Sequence, residues 1–251
     1  MDIQNYKLNL VKDEFDDRDF QYKAKQEKEV KTLPKEVLIP VKPAEDQGQL
    51  GSCSAFSLLG LIEEYYNDEI NLSKLFQYFN SRKEDNTVFE DAGTSLRQAL
   101  KTYNKYGSCL TEFCPYNIDK FTETPNSICY EDGKKRRKIT YYRINSLEEY
   151  KNSLANGDLV YCGIKIYDSF YETGKDGIVK PLSGDFKGLH AVFSYGYTDY
   201  DELGVYRNSW SPKWGWNKGS FKIPYSLFDS IFVDMWSVHM TEEIIGDTVT
   251  E

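Results

Sequence analysis

The apolar residues of this chain change their spacing near its middle, and that change limits the fold more than any other feature. Behind the turn Gly51-Ser52-Cys53, the residues Ala55, Phe56, Leu58, Leu59, Leu61, Ile62 and Tyr65 recur at helical spacing. A second stripe, Leu72, Leu75, Phe76 and Phe79, is entered at Ser73. A third, Leu96, Ala99, Leu100 and Tyr103, is entered at Thr94 or Ser95 and closed by Gly107. A fourth helix starts at Ser146, where Glu149 completes a capping box, and stops at Gly157. From residue 159 onward the pattern has period two. The runs 159–167, 191–197, 205–208, 220–223 and 232–240 are rich in β-branched and aromatic residues. Helices first and strands later predict an α+β protein with segregated lobes, and a cleft between such lobes is a natural place for a site.

A chain of 251 residues holds one large domain, or two lobes sharing a cleft. Residues 1–32 are charged and weakly patterned, and read as an extended arm. Residues 33–251 read as the domain proper, with a helical lobe at about 50–115 and a β lobe at about 139–240. The formal charge of -9 argues against nucleic acid as a partner, since phosphate binding needs a basic footprint. The one basic run, Lys134-Lys135-Arg136-Arg137-Lys138, is read as a solvated loop before a strand-like stretch at 139–144. No window approaches the ~20 apolar residues of a membrane span. The polar start shows no signal peptide, so a soluble, cytoplasmic protein is expected. Tyrosine is frequent, so aromatics with satisfied hydroxyls are expected in the core.

The candidate chemistry is confined by scarcity. Only two histidines exist, His190 and His239, so any general base of that type is one of them. His239 reads as a strand-edge residue. His190, in Gly188-Leu189-His190-Ala191-Val192, sits where a glycine-bearing loop enters a buried strand, held firmly but open to a cleft. Among the five cysteines, Cys53 alone stands where a glycine-rich turn meets the start of a helical pattern. There the helix dipole favours an anion and lowers a thiol pKa, and a nearby imidazolium lowers it further. Cys109, Cys114, Cys129 and Cys162 show no zinc spacing and read mainly as buried or free thiols of a reducing compartment, with one bridge around the Cys109–Cys129 loop left open. Asn208 ends a strand before Ser209-Trp210. An amide oxygen there can accept from the imidazole N–H and fix its tautomer, and a tryptophan laid over that bond shields it from water.

Three blocks, Gln47…Gly51-Ser52-Cys53, Leu189-His190-Ala191-Val192 and Asn208-Ser209-Trp210…Trp214-Gly215, resemble the signature of the papain (cathepsin, C1) family of cysteine peptidases. The family carries its cysteine early, with histidine and asparagine ~130–150 residues downstream, and order and spacing agree here. The resemblance covers about residues 33 to 240. It is nearest to leaderless forms of bacteria, archaea and large DNA viruses, through the stretches 46–53 and 72–76. That adds association with a virion to the cytoplasm as an expected location.

The resemblance implies a two-lobe fold, with a helical N-terminal lobe and a β-barrel-like C-terminal lobe. It also implies an endopeptidase without metal or organic cofactor, acting on protein or peptide as a monomer. Cys53 would be the nucleophile, His190 its base, Asn208 the orienting amide, and Gln47 an oxyanion donor. Gly93 resembles the glycine that pairs with substrate backbone, with Thr94 and Ser95 beside it. Leu189, Trp210 and Val233 are further candidates for substrate contact. Leu50 stands where secreted relatives carry a half-cystine bridged to the cleft's glycine segment, and Ser54 where they carry a tryptophan. Two alternatives stay open: a silent peptide-binding module, and an amidase or acyl transferase using the same Cys–His pair. The arm reads either as a short inhibitory pro-segment in the cleft or as a strap on the back of a lobe.

Overall fold

In the computed structural model, which describes residues 3–22, 32–66, 70–136 and 138–241, helices fill the first half and an antiparallel sheet the second. The helices α1 (Cys53–Glu63), α2 (Lys74–Glu84) and α3 (Leu96–Tyr106) form one lobe, followed by the short α4 (Ser127–Gly133). The hydroxyls of Ser73 and Ser95 accept from Phe76 N and Gln98 N, each a cap contributing about 1 kcal/mol. Gly107 closes α3 at φ +68°. Helix α5 (Leu147–Ala155) opens on the Ser146 hydroxyl, and the Glu149 carboxylate reaches back to the N–H of Asn145, one residue before the cap.

The arm and the linker contribute two short strands, β1 (Leu10–Val11) and β2 (Glu36–Leu38), and β3 (Thr94–Ser95) precedes α3. The main sheet is built from β4 (Ile139–Arg143), β5 (Leu159–Tyr167), β6 (Phe186–Thr198), β7 (Leu203–Arg207), β8 (Ser220–Pro224) and β9 (Phe232–Met240). Its order is β4-β9-β5-β6-β7-β8, every neighbour antiparallel, with β2 added to β6. The strands do not close on one another, so the barrel-like lobe expected from the sequence is an open mixed α+β arrangement. Two one-turn helices, α6 (Asp168–Tyr171) and α7 (Phe228–Ile231), flank the sheet.

α1 is buried along almost its whole length, which is why its pattern is apolar nearly all round. It packs against β6 and β5, and its core partners include Tyr161, Ala191 and Phe193. Two hydrogen bonds fix it there. Ser57 Oγ donates to Ala191 O at 2.7 Å, and Tyr161 Oη donates to Ser54 O at 2.8 Å. These bonds set the N-terminal turn of α1 beside residue 190 of β6. A second core, including Trp210, Trp214, Phe170 and Phe221, lies behind the other face of the sheet. All five cysteines are free, so the bridge left open around Cys109–Cys129 is not made. Cys109, Cys129 and the half-buried Cys114 instead pack with Phe76.

Candidate active site

Three chain segments meet at the start of α1. Cys53 is its first residue. His190 lies on β6 opposite Ile164 of β5. Asn208 follows β7 directly, and the Gln47 turn is stitched to the same loop, because Gln47 N donates to Ser209 O at 2.9 Å.

The hydrogen bonds assign the histidine tautomer. Asn208 Oδ1 accepts from Ser209 N at 2.8 Å, which identifies that atom as the oxygen. His190 Nε2 lies 2.7 Å from the same oxygen and therefore donates to it. In the neutral ring the unprotonated nitrogen is then Nδ1, which is buried with no hydrogen-bond partner. Trp210 is fully buried with its ring centroid 4.9 Å from that of His190, so the bond is shielded from water. Gln47 is fixed at both ends of its amide: Oε1 accepts from Ser209 Oγ at 2.6 Å, and Nε2 donates to Leu50 O at 3.0 Å.

The arm runs through this cleft. Tyr6 stacks on Trp210 at 5.2 Å and donates to Asp46. The Lys7 carbonyl accepts from Gln47 Nε2 at 3.3 Å. Asn9 bridges in parallel to Leu189, Leu10 pairs with Thr94, and Val11 pairs with Ser95. Gly93 sits at φ +73° with the Asn9 carbonyl so close that a Cβ would lie 1.6 Å from its oxygen, so no other residue admits this backbone. Gly188 admits Leu8 in the same way. The Leu10 side chain is buried over Gly163, near Leu96, on the side where Val233 also approaches.

Burial reverses the expected electrostatics. The helix-start setting predicts a lowered thiol pKa. Desolvation wins instead, and Cys53, fully buried, is pushed up to about 11, with hydrogen bonds from backbone groups including Ala191 opposing in part. Burial likewise pulls His190 down to about 4, against the opposing pull of Asn208. Both shifts favour the neutral forms, a thiol and an imidazole.

The structure thus gathers Cys53, His190, Asn208, Gln47 and Trp210 at one end of the cleft, and places Gly93, Thr94, Ser95, Leu189 and Val233 along the arm. The Thr94 hydroxyl is committed to Asp85 at 2.7 Å. His239 is apart, paired with Asp158 at 2.7 Å.

Sequence reasoning missed three supports. Asp91 accepts from Gly51 N at 3.0 Å, from Tyr78 Oη at 2.6 Å and from Lys7 Nζ at 2.7 Å. It joins the nucleophile turn to the Gly93 segment, the task a disulfide from position 50 would perform. Tyr116 donates to Gln47 O at 2.7 Å and meets Ser52 Oγ at 2.7 Å, and Ser209 holds Gln47. Asp91 stands two positions before Gly93, and that adjacency was the one available signal.

A two-lobe fold that sets a cysteine at a helix start and an asparagine-held histidine on the strand packed against that helix is that of the papain class of cysteine peptidases. The model of the papain family cysteine proteases matches residues 29–227, and the chain belongs to that family. It is 32% identical over 237 residues to an uncharacterized peptidase C1-like protein of Acanthamoeba polyphaga mimivirus, covering 86% of this chain and 76% of that one. It is also similar in structure to xylellain, a cysteine protease from Xylella fastidiosa, with TM-score 0.85, 27% identity and coverage of 95% and 97%. A digestive procathepsin L 3 of Tenebrio molitor shares the fold at TM-score 0.67 and 17% identity, over 94% of this chain and 76% of that one. Among the described residues, no helix is long and apolar enough to cross a membrane.

Proposed function

We propose that this cysteine peptidase is an endopeptidase working through a Cys53–His190–Asn208 triad, and that residues 6–13 hold it silent until they are displaced. The observation that carries the reading is the shared network in which His190 Nε2 and Ser209 N meet on Asn208 Oδ1 while Ser209 Oγ clamps Gln47.

With the arm gone, water reaches the site and the burial that keeps both groups neutral is relieved. The Cys53 proton moves to His190 Nδ1, leaving a thiolate at the helix start and an imidazolium held by Asn208. The thiolate sulfur bonds to the scissile carbonyl carbon. The oxygen becomes an oxyanion accepting from Gln47 Nε2 and the Cys53 N–H. His190 gives its proton to the leaving amine as the C–N bond breaks. A water then attacks the thioester, losing its proton to His190, and the acid leaves as the thiolate returns. The Lys7 carbonyl, accepting from Gln47 Nε2, stands in for a bound carbonyl in the resting chain.

The test is mass spectrometry with an epoxide thiol inhibitor on the chain lacking residues 1–32, beside Cys53→Ala and His190→Ala in the same chain, with the full-length chain expected to label far more slowly. One adduct, lost in the first variant and slowed in the second, with peptide hydrolysis following the same order, supports the reading. Labelling spread over Cys109, Cys114, Cys129 and Cys162 sinks it.

A further inference from the structure

Beyond Leu10 the arm turns inward, and Asp13 is fully buried at its side chain. Every donor it meets belongs to the body of the protein. Trp236 Nε1 on β9 donates to Oδ2 at 2.9 Å, and Arg97 N at the start of α3 donates to Oδ1 at 3.0 Å. Arg143 Nη1 on β4 lies 3.3 Å from Oδ2. The Asp13 N–H in turn donates to Asp234 Oδ2 at 2.9 Å, and Asp234 also pairs with Arg143. Asp19, likewise on the arm, pairs with the Arg97 guanidinium at 2.6 Å. Both guanidinium groups lie over the Trp236 ring, at 5.7 and 5.1 Å from its centroid.

The charge balance points outward. The arm supplies two carboxylates to this cluster. The body supplies two guanidinium groups, an indole N–H and a backbone N–H, offset among the described residues by Asp234. Removing the arm leaves these donors without their acceptors and an excess of positive charge in the cluster, on a protein whose net charge is -9. Donors fixed on α3, β4 and β9 are positioned by the fold, not by the arm.

We propose that Trp236 Nε1, Arg97 N–H and Arg143 form a carboxylate-binding subsite of the peptidase, which reads an aspartate set three residues beyond the leucine seated over Gly163. Its ligand is an acidic peptide of the pattern Leu-x-x-Asp. The arm segment Leu10-Val11-Lys12-Asp13 occupies it here, and a separate peptide of that pattern competes for it. The proposal rests on the arm being displaceable.

The experiment uses the full-length chain carrying Asp13→Ala and Cys53→Ala, so that the own arm is loosened and no peptide is consumed. The indole N–H resonances are followed by ¹⁵N NMR while a peptide of residues 6–16 is added, against the same peptide with asparagine at position 13. Trp236→Phe assigns the resonance. The aspartate peptide should shift the Trp236 signal saturably and bind about tenfold or more tightly than the asparagine peptide. Equal binding of both peptides, or no shift of Trp236, overturns the subsite. If Asp13→Ala fails to fold, Asp13→Asn replaces it. Epoxide labelling of the single Asp13→Ala chain separates the two readings. Labelling without a Trp236 shift removes the subsite alone, and neither signal removes the displaceable arm as well.

Discussion

The arm is held at two places along one cleft, by different physics. At the nucleophile end, between Tyr6 and Asn9, contact is chiefly backbone and ring: a carbonyl on Gln47, glycines that admit main chain, and a tyrosine stacked on Trp210. At the far end, between Asp13 and Asp19, it is carboxylate against guanidinium in a desolvated pocket. The first kind of contact is to main chain and ring, and carries little preference for one side chain over another. The second reads a particular side chain. An arm that used the first kind of contact alone would be displaced by every substrate, so selective holding falls to the second.

The largest effect belongs to the nucleophile end. His190→Ala should lower peptide hydrolysis by about 10²–10⁴, because the proposed carrier of the thiol proton is gone. Asn208→Ala should fall less, and steady-state kinetics on a peptide substrate measures both. If either variant keeps wild-type rates, that end of the cleft is only a binding groove.

At the far end, Asp13→Ala leaves Arg143 and Trp236 Nε1 facing a desolvated gap. Breaking a buried pair costs about 3–5 kcal/mol, and the partial exposure of Arg143 reduces this to about 2–3 kcal/mol. Epoxide labelling of Cys53 should accelerate about 30–150-fold. An unchanged rate would place the holding energy at the nucleophile end.

The comparison also predicts an unusual response to pH. Burial, and then the neighbouring Asp13 carboxylate, push Asp234 up to about 6. Release of the arm relieves both causes, so the released form has the lower pKa. The docked form therefore binds the extra proton, and its advantage is present near pH 4–5 and lost as pH rises through about 6. Asp13, Asp19, Arg97 and Arg143 are the charged groups gathered around Asp234. The ratio of Cys53 labelling rates, wild type over Asp234→Asn, cancels the titration of the thiol itself. It should rise about tenfold between pH 5 and 7. A flat ratio would separate Asp234 from arm release.

The smallest change is expected from Tyr6→Ala. One stacked aromatic contact is worth about 0.5–1.5 kcal/mol, so labelling should accelerate about two- to tenfold. An effect larger than that of Asp13→Ala would invert the comparison between the two ends.

Much of the site was legible in the chain because its chemistry sits in local blocks. Gly51-Ser52-Cys53 before an apolar helix, His190 at a strand entry and Asn208 before Ser209-Trp210 each announce a local geometry. Helices α1 to α3 and strands β5 and β9 follow their periodicity closely, as buried faces impose it. Helix α4 was missed because Ser127-Ile128-Cys129-Tyr130-Glu131-Asp132-Gly133 is too short to show a period. The entry of β6 at Phe186, ahead of the apolar run, was missed because residues 186–189 are exposed or half-buried and carry no alternation.

The sequence by itself determined which residues stand at a helix start, a strand entry and a strand exit, since propensity, capping and hydrophobic period act over a few neighbours. It did not decide where the arm lies. Asp13 meets partners 84, 130 and 223 positions away, and no local pattern encodes contacts of that range. The protonation state of the site was equally out of reach. A helix start favours a thiolate, but burial outweighs it, and burial is a property of the assembled lobes.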